Sequence, residues 1–187
     1  MISCVDLGIP VLWKHRNSLV KLIRPNSVGI ELGVYHGICA RYILDNASVS
    51  ELHLVDIWTK PGTVVQHRWD SRFSNTKKLM KSEIENGVVK IHRMDTKDAA
   101  QLFKNDYFDW IHGDSGVEYA HISGNLVSYW PKLKREGYFV IRGFTPSNPV
   151  NGVHIAIDEL RESSGDVDIV GLTADTEFSV SIVLRKR

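Results

Sequence analysis

The chain has 187 residues, 43% of them hydrophobic and 24% charged, enough for one domain with a sizeable core and an ordinary composition for a soluble globular protein. Its formal net charge of +1, with one block of like charge at Arg185-Lys186-Arg187, argues against a nucleic-acid or membrane surface and favours a small-molecule partner, while a homo-oligomer stays compatible with it. Cys4 and Cys39 make no metal-binding spacing, the first residues lack a signal peptide's apolar stretch, and no segment could cross a bilayer, so the cytoplasm is the expected compartment.

From Val11 to Ile23 the spacing is helical, with Leu12, His15, Leu19 and Ile23 available to one face and Pro25 as the stop; a leading helix is expected over this stretch. Ser27 to Leu32 then reads as a buried strand, Gly33-Val34-Tyr35-His36-Gly37 as a glycine turn, and Cys39 to Leu44 as the start of a helix. A strand carboxylate such as Glu31 can accept hydrogen bonds from an amino or hydroxyl group, and glycines let a ligand lie against the backbone at a helix N-terminus. That is the chemistry of a nucleoside cofactor site. The pattern Glu-x-Gly-x-x-x-Gly is not the dinucleotide fingerprint, and by itself it also describes two glycines that only turn the chain. Glu51 to Asp56 forms a second strand ending in an acid 19 residues beyond Gly37. A βαβ unit with that separation brings the carboxylate beside the glycine turn, within reach of both hydroxyls of a ribose.

Ile57 to Trp69 is a long stretch containing Lys60-Pro61-Gly62, and Trp58, His67, Arg68 and Trp69 in it either cover a ligand or pin the loop to its own domain. Asp70 to Glu85 reads as a helix ended by Asn86-Gly87, Val88 to His92 as a third strand, and Lys97 to Phe103 as a short helix after Arg93-Met94-Asp95-Thr96. Tyr107 to His112 is a fourth strand ending at Gly113-Asp114-Ser115-Gly116. Glu118 to Trp130 is a helix stopped by Pro131, and Tyr138 to Ile141 a fifth strand. A loop from Thr145 to Asn151, a helix from Val153 to Glu162, and a hairpin of Val167 to Leu172 with Glu177 to Leu184 complete the chain. The alternation predicts a single-domain, Rossmann-like, doubly wound α/β fold. Its mostly parallel seven-stranded sheet carries helices on both faces and a C-terminal antiparallel hairpin, with residues 1–25 leading, 27–145 as cofactor-binding core and 146–187 closing.

Over residues 27–145 the order of these motifs resembles the class I S-adenosylmethionine-dependent methyltransferases. Phe108 to Asp114 through Tyr119, then Trp130 to Val140, is similar more narrowly to the small catechol-O-methyltransferase-like, methyltransferase-24 type enzymes. The resemblance implies S-adenosylmethionine as cofactor, S-adenosylhomocysteine as product and a small-molecule acceptor. It places Glu31, Gly33, Val34, Tyr35 and Gly37 around the methionine moiety, Asp56 at the ribose, and Asp95 with Thr96 at the adenine. Ile57 and Trp58 could lie on the adenine ring, with ordinary core packing equally open for Trp58.

The departures from that family are also informative. Its metal-dependent members follow the fourth strand with an acid and the fifth with Asp-Asn, whereas this chain has Asp114 and then Arg142-Gly143, so metal-independent transfer is expected. Metal-free relatives carry Asp-x-Asp-His-x-x-Tyr where this chain has Asp114-Ser115-Gly116-Val117-Glu118-Tyr119. Among Asp114, Glu118, His112 and His121, the expected order of general bases is Asp114, then Glu118. His112 is expected in the core and His121 in solvent. Arg142 either pairs with an acid such as Asp114 or clamps a carboxylate or phosphate of an anionic acceptor. Two other readings stay open: a degenerate S-adenosylmethionine-binding protein without transfer, and a nicotinamide-dependent oxidoreductase, which the Glu31 start and the missing third glycine disfavour.

Overall fold

Buried strands alternating with amphipathic helices must cover both sides of one sheet, and the chain does so. The computed structural model describes residues 9–13, 16–59, 65–145, 152–173 and 180–187. Among these, β1 (Val11–Trp13), β2 (Ser27–Leu32), β3 (Val49–Asp56), β4 (Val89–Arg93), β5 (Phe108–Gly113), β6 (Leu133–Phe144), β7 (Val167–Thr173) and β8 (Val180–Lys186) form one sheet in the order β1-β7-β8-β6-β5-β2-β3-β4. Its pairings are parallel except those of β8, which runs antiparallel to both β6 and β7. From β2 the chain winds outward through β3 and β4, then returns to β5 on the other side of β2. The winding therefore reverses between β2 and β5, and the crevice at their carboxyl ends is where open α/β sheets bind ligands.

The helices are α1 (Ile38–Asn46), α2 (Gln66–Leu79), α3 (Lys81–Glu85), α4 (Thr96–Ala100), α5 (Tyr119–Tyr129) and α6 (Gly152–Ser164). On one face Ile30, Leu32, Ile111, Phe139 and Ile141 pack with Ile122 and Leu126 of α5 and Val153 and Ile157 of α6. On the other, Leu52, Leu54 and Trp110 pack with Ala40 and Ile43 of α1 and with Met80. Gly29 lets the second layer close, because a Cβ there would lie 2.0 Å from the Trp110 indole, whose Nε1 donates to Ser27 Oγ at 3.1 Å. Any side chain at position 29 would push Trp110 off the sheet.

The leading segment corrects the sequence expectation. Instead of one helix from Val11 to Ile23 there is the edge strand β1, then a 3-10 helix over Arg16–Leu22. The sheet gains an eighth strand for a physical reason: the free edge of β7 recruits the backbone, with Leu172 N donating to Pro10 O at 2.9 Å. Leu12 lies against Gly171, while Leu19 packs on Val140 and Val183, so residues expected on one helical face meet different surfaces. His15 lies outside the described residues, as do Lys60 to Val64, Pro146 to Asn151 and the hairpin connection from Ala174 to Ser179. The helix expected over Asp70 to Glu85 starts earlier, at Gln66, and breaks at the fully buried Met80. The C-terminal basic block is a seam inside the domain: Arg185 bonds Asp168 at 2.9 Å, and Lys186 Nζ donates to Leu133 O at 2.8 Å.

A polar cluster is buried between β3 and β4. His53 Nδ1 lies 2.9 Å from His92 Nε2, and His53 Nε2 bonds Glu51, which also accepts from Lys90 Nζ at 2.7 Å and from the Tyr107 hydroxyl at 2.9 Å. Phe103 and Phe108 set their edges against the imidazole. Burial holds the His53 pKa down at about 4, outweighing the upward pull of Glu51. The folded chain therefore keeps His53 neutral over a range in which the unfolded chain takes up a proton. Stability from this residue is complete above pH 6.5 and falls by about 3 kcal/mol as the pH drops to 4. Urea unfolding from pH 7 to pH 4 should show that loss, and His53→Leu should remove its share of the slope.

Candidate functional site

At the end of β2 the chain turns through Gly33, Tyr35 and Gly37, all at positive φ (89°, 55° and 75°). The turn is held by the neighbouring strand. Asp56, last residue of β3, accepts from Val34 N at 2.9 Å and Tyr35 N at 2.8 Å with one oxygen, and from Trp58 N at 2.7 Å with the other. A carboxylate offers about four acceptor directions, so one is left. The Trp58 indole closes the same knot, donating from Nε1 to Tyr35 O at 3.0 Å. On the outside, Arg72 of α2 places its guanidinium 4.3 Å from the ring centres of both Tyr35 and Trp69.

These contacts define the surroundings of the residues expected at the turn. Trp58 has no exposed surface and packs against Phe73, so of its two readings the structure shows core packing; Ile57 beside it is exposed. The close approach at Gly33 comes from the chain itself, since a Cβ there would meet Asp114 O at 2.4 Å. At Gly37 a Cβ would lie 3.0 Å from Thr76 of α2. The glycines thus let β5 and α2 press against the turn. Glu31 points beneath α1, 1% exposed, with His112 Nδ1 at 3.7 Å from its Oε1. Of the four tryptophan, histidine and arginine residues expected to cover a ligand or pin a loop, Trp69 belongs to α2 and braces the turn, while His67 and Arg68 are exposed on that helix.

Asp95 N-caps α4, accepting from Lys97 N at 2.8 Å with one oxygen, and the Thr96 carbonyl accepts from the buried Tyr129 hydroxyl at 2.8 Å. Burial, with Asp95 nearby, pushes the Tyr129 pKa well up and keeps that donor protonated. Both residues sit at the carboxyl end of β4, on the same sheet edge as Asp56.

Across the crevice, Asp114 follows β5 and is tied to β2 by its N–H, 2.7 Å from Leu32 O. Its carboxylate accepts from Arg142 of β6 at 2.8 Å, both side chains partly exposed. The pairing reading of Arg142 is the one observed, and the expected first base is engaged. Glu118 stands in solvent 3.3 Å from His121 Nδ1, and its carboxyl is held below the usual range by a backbone hydrogen bond and that imidazole. It is a weaker base than expected. His112 is in the core, as the strand pattern predicts, and His121 is exposed. Sequence reasoning missed Asn125, buried on α5, which donates to Ser115 Oγ at 2.7 Å and fixes the loop after Asp114. Its one signal was a polar residue on the apolar face of a helix.

The model of the family described as Methyltransferase domain matches residues 30–141, more than half of the chain. Among solved structures, the chain is similar to the tRNA methyltransferase TrmK of B. subtilis (TM-score 0.64, 16% identity, 94% of this chain and 67% of that one). It is also similar to spermidine synthase from Thermotoga maritima (0.63, 17%, 92% and 57%) and to a possible exported protein from Bordetella parapertussis (0.64, 16%, 91% and 65%). The chain spans less than two thirds of the length of the last two, and at these identities the likeness is one of fold. A search of the curated proteins found no match. With the sheet order, the crevice between β2 and β5 and the family match over residues 30–141, the chain belongs to the Methyltransferase domain family and has its class I, Rossmann-like fold.

Proposed function

We propose that the protein transfers a methyl group from S-adenosylmethionine to a small-molecule acceptor, without a divalent ion holding that acceptor. The observation that carries the reading is the crevice in which the glycine turn, Asp56 and the Asp114–Arg142 pair share one sheet edge. The residues fit such a cofactor. Asp56 keeps one acceptor direction for a ribose hydroxyl, Ile57 beside it offers exposed apolar surface, and Asp95 has an oxygen beyond its capping bond. The helix α1 starts at Gly37 with no side-chain cap, so its first N–H groups suit a carboxylate. The cofactor supplies an electrophilic methyl group on a sulfonium. The chain's part is to hold Val34 and Tyr35 in place through Asp56, to align the acceptor at the crevice and to exclude water.

Metal independence is supported by the Asp114–Arg142 pair. A hard cation needs several oxygen ligands, and here a guanidinium is bound to the acid that would supply the first of them. Arg142 retains donors beyond the Nη1 that Asp114 takes and can receive an anionic group on the acceptor. A second reading, binding without transfer, is favoured by one observation: Asp114 and Glu118, the two expected bases, are both engaged by cations or imidazole. Calorimetry with S-adenosylhomocysteine, then its production from S-adenosylmethionine over a panel of small acceptors, separates the two. Binding without product supports the second reading, and no binding removes both.

Asp56→Ala leaves Val34 N and Tyr35 N without their acceptor, and charge-assisted bonds of this kind contribute about 1.5–3 kcal/mol each. Affinity for S-adenosylhomocysteine should fall at least about tenfold, and unchanged affinity would remove Asp56 from the site. Gly33→Ala should cost more than about 2 kcal/mol of folding stability through its positive φ and the contact with Asp114 O, which urea unfolding measures.

Arg142→Ala should change stability by less than about 1 kcal/mol, as partly exposed ion pairs do, and leave S-adenosylhomocysteine affinity within about twofold. It should lower turnover of anionic acceptors more than of neutral isosteres. Added magnesium should not raise the rate of the parent protein; a magnesium-dependent rate would refute metal independence.

A further inference from the structure

Beneath α1, on the face of the sheet opposite α5 and α6, three metal-ligating side chains meet that the crevice chemistry does not use together. Glu31 of β2 and His112 of β5 are direct cross-strand partners, and Cys39 reaches them from the first turn of α1. Cys39 Sγ lies 3.7 Å from His112 Nδ1, Glu31 Oε1 lies 3.7 Å from the same nitrogen, and the three ligand atoms are all within 4.8 Å of one another. Glu31 and His112 are 1% and 7% exposed. Glu31 Oε2 is buried and has no hydrogen-bond partner among the described residues.

A buried carboxylate oxygen without a partner is expensive, and at the other oxygen of Glu31 the 3.7 Å to His112 Nδ1 is too long for a hydrogen bond. The spacing suits coordination better. With Zn–N near 2.0–2.1 Å, Zn–O similar and Zn–S near 2.3 Å, neighbouring ligands of a tetrahedral zinc ion stand about 3.4–3.6 Å apart. Two of the distances here are within a few tenths of an ångström of that. The donor set of one thiolate, one imidazole and one carboxylate is a borderline-soft set that suits zinc better than magnesium or calcium. It also balances charge: a dication with a thiolate, a carboxylate and a neutral imidazole is neutral overall, the least costly composition to bury. Cys39 and His112 also line a pocket, together with Leu19, Tyr42 and Val140.

We propose that Glu31, Cys39 and His112 form a zinc site, with water from the adjoining pocket as fourth ligand. Cys39 binds as the thiolate and its proton leaves to solvent. The ion joins β2, β5 and α1 directly below the glycine turn. The site stands independently of methyl transfer, because its test reads metal binding and not turnover.

The experiment titrates the metal-stripped full chain with cobalt(II), whose thiolate charge-transfer and d–d absorption report a sulfur-bound tetrahedral ion, and then adds zinc. One equivalent of cobalt should develop both absorptions, and one equivalent of zinc should bleach them. Cys39→Ser should abolish the charge-transfer band and weaken zinc at least tenfold, Glu31→Gln should weaken zinc at least tenfold, and Cys4→Ser should leave the band intact. Circular dichroism establishes that each variant is folded, with Cys39→Ala as replacement if the serine variant is not. One equivalent of zinc should also raise the melting temperature of the parent protein and not of the Cys39 variants. Absence of the band in the parent protein, its persistence in Cys39→Ser, or its loss in Cys4→Ser would overturn the proposal and leave Glu31 and His112 as a buried pair alone.

Discussion

One carboxylate holds the site together. Asp56 receives three backbone N–H groups, two from the turn after β2 and one from its own strand's exit, and through them two neighbouring loops become a single rigid unit. Gly33 and Gly37 take their positive φ without strain, but Tyr35 at φ 55° carries a cost that must be offset by bonds made in that conformation. Trp58, itself at a positive φ of 43°, adds the indole bond to Tyr35 O from the core side. The candidate binding edge is thus shaped before any ligand arrives, which lowers the ordering cost of binding.

The same logic runs across the crevice. Gly33 admits the Asp114 backbone, Asp114 N is bonded to Leu32 O, and the Asp114 side chain is bonded to Arg142. Strands β2, β5 and β6 are therefore coupled at their carboxyl ends by one glycine and one ion pair. Arg142 near the end of β6 turns what would be an uncompensated carboxylate into a locally neutral pair. The pair leaves little net field at that edge.

Much of this was readable from the residues. Strand–helix alternation, the glycine turn and the acids at the carboxyl ends of β3, β4 and β5 are local patterns, and the structure reproduces them within a few residues. Partners distant in sequence were not readable. Leu12 and Leu19 fit a helical period, but the unpaired edge of β7 decides the conformation of β1. Trp58 lies two residues after Asp56, yet a residue's place in sequence does not fix which way a strained turn sends its indole. Glu31 alternates correctly along β2, but only the register with β5 shows that it meets His112 and not the crevice. Arg142 was readable as a choice between two roles, and the structure shows its pairing with Asp114.

The sheet order also governs how the molecule assembles. Strand β8 lies between β6 and β7, and β1 pairs with β7 at Val11 and Leu172. The inner strands β2 to β6 can pair as soon as they are made, whereas one outer edge waits for the hairpin and for an N-terminal strand separated from it by most of the chain. Contacts so far apart form late, because closing a long loop precedes any gain from the pairing. During that interval the flank of β6 stays open, with Tyr138 to Phe144 unpaired on the side that β8 later covers. An unpaired strand flank is where another chain can add. Strand β8 closes that flank of β6 once the hairpin is in place.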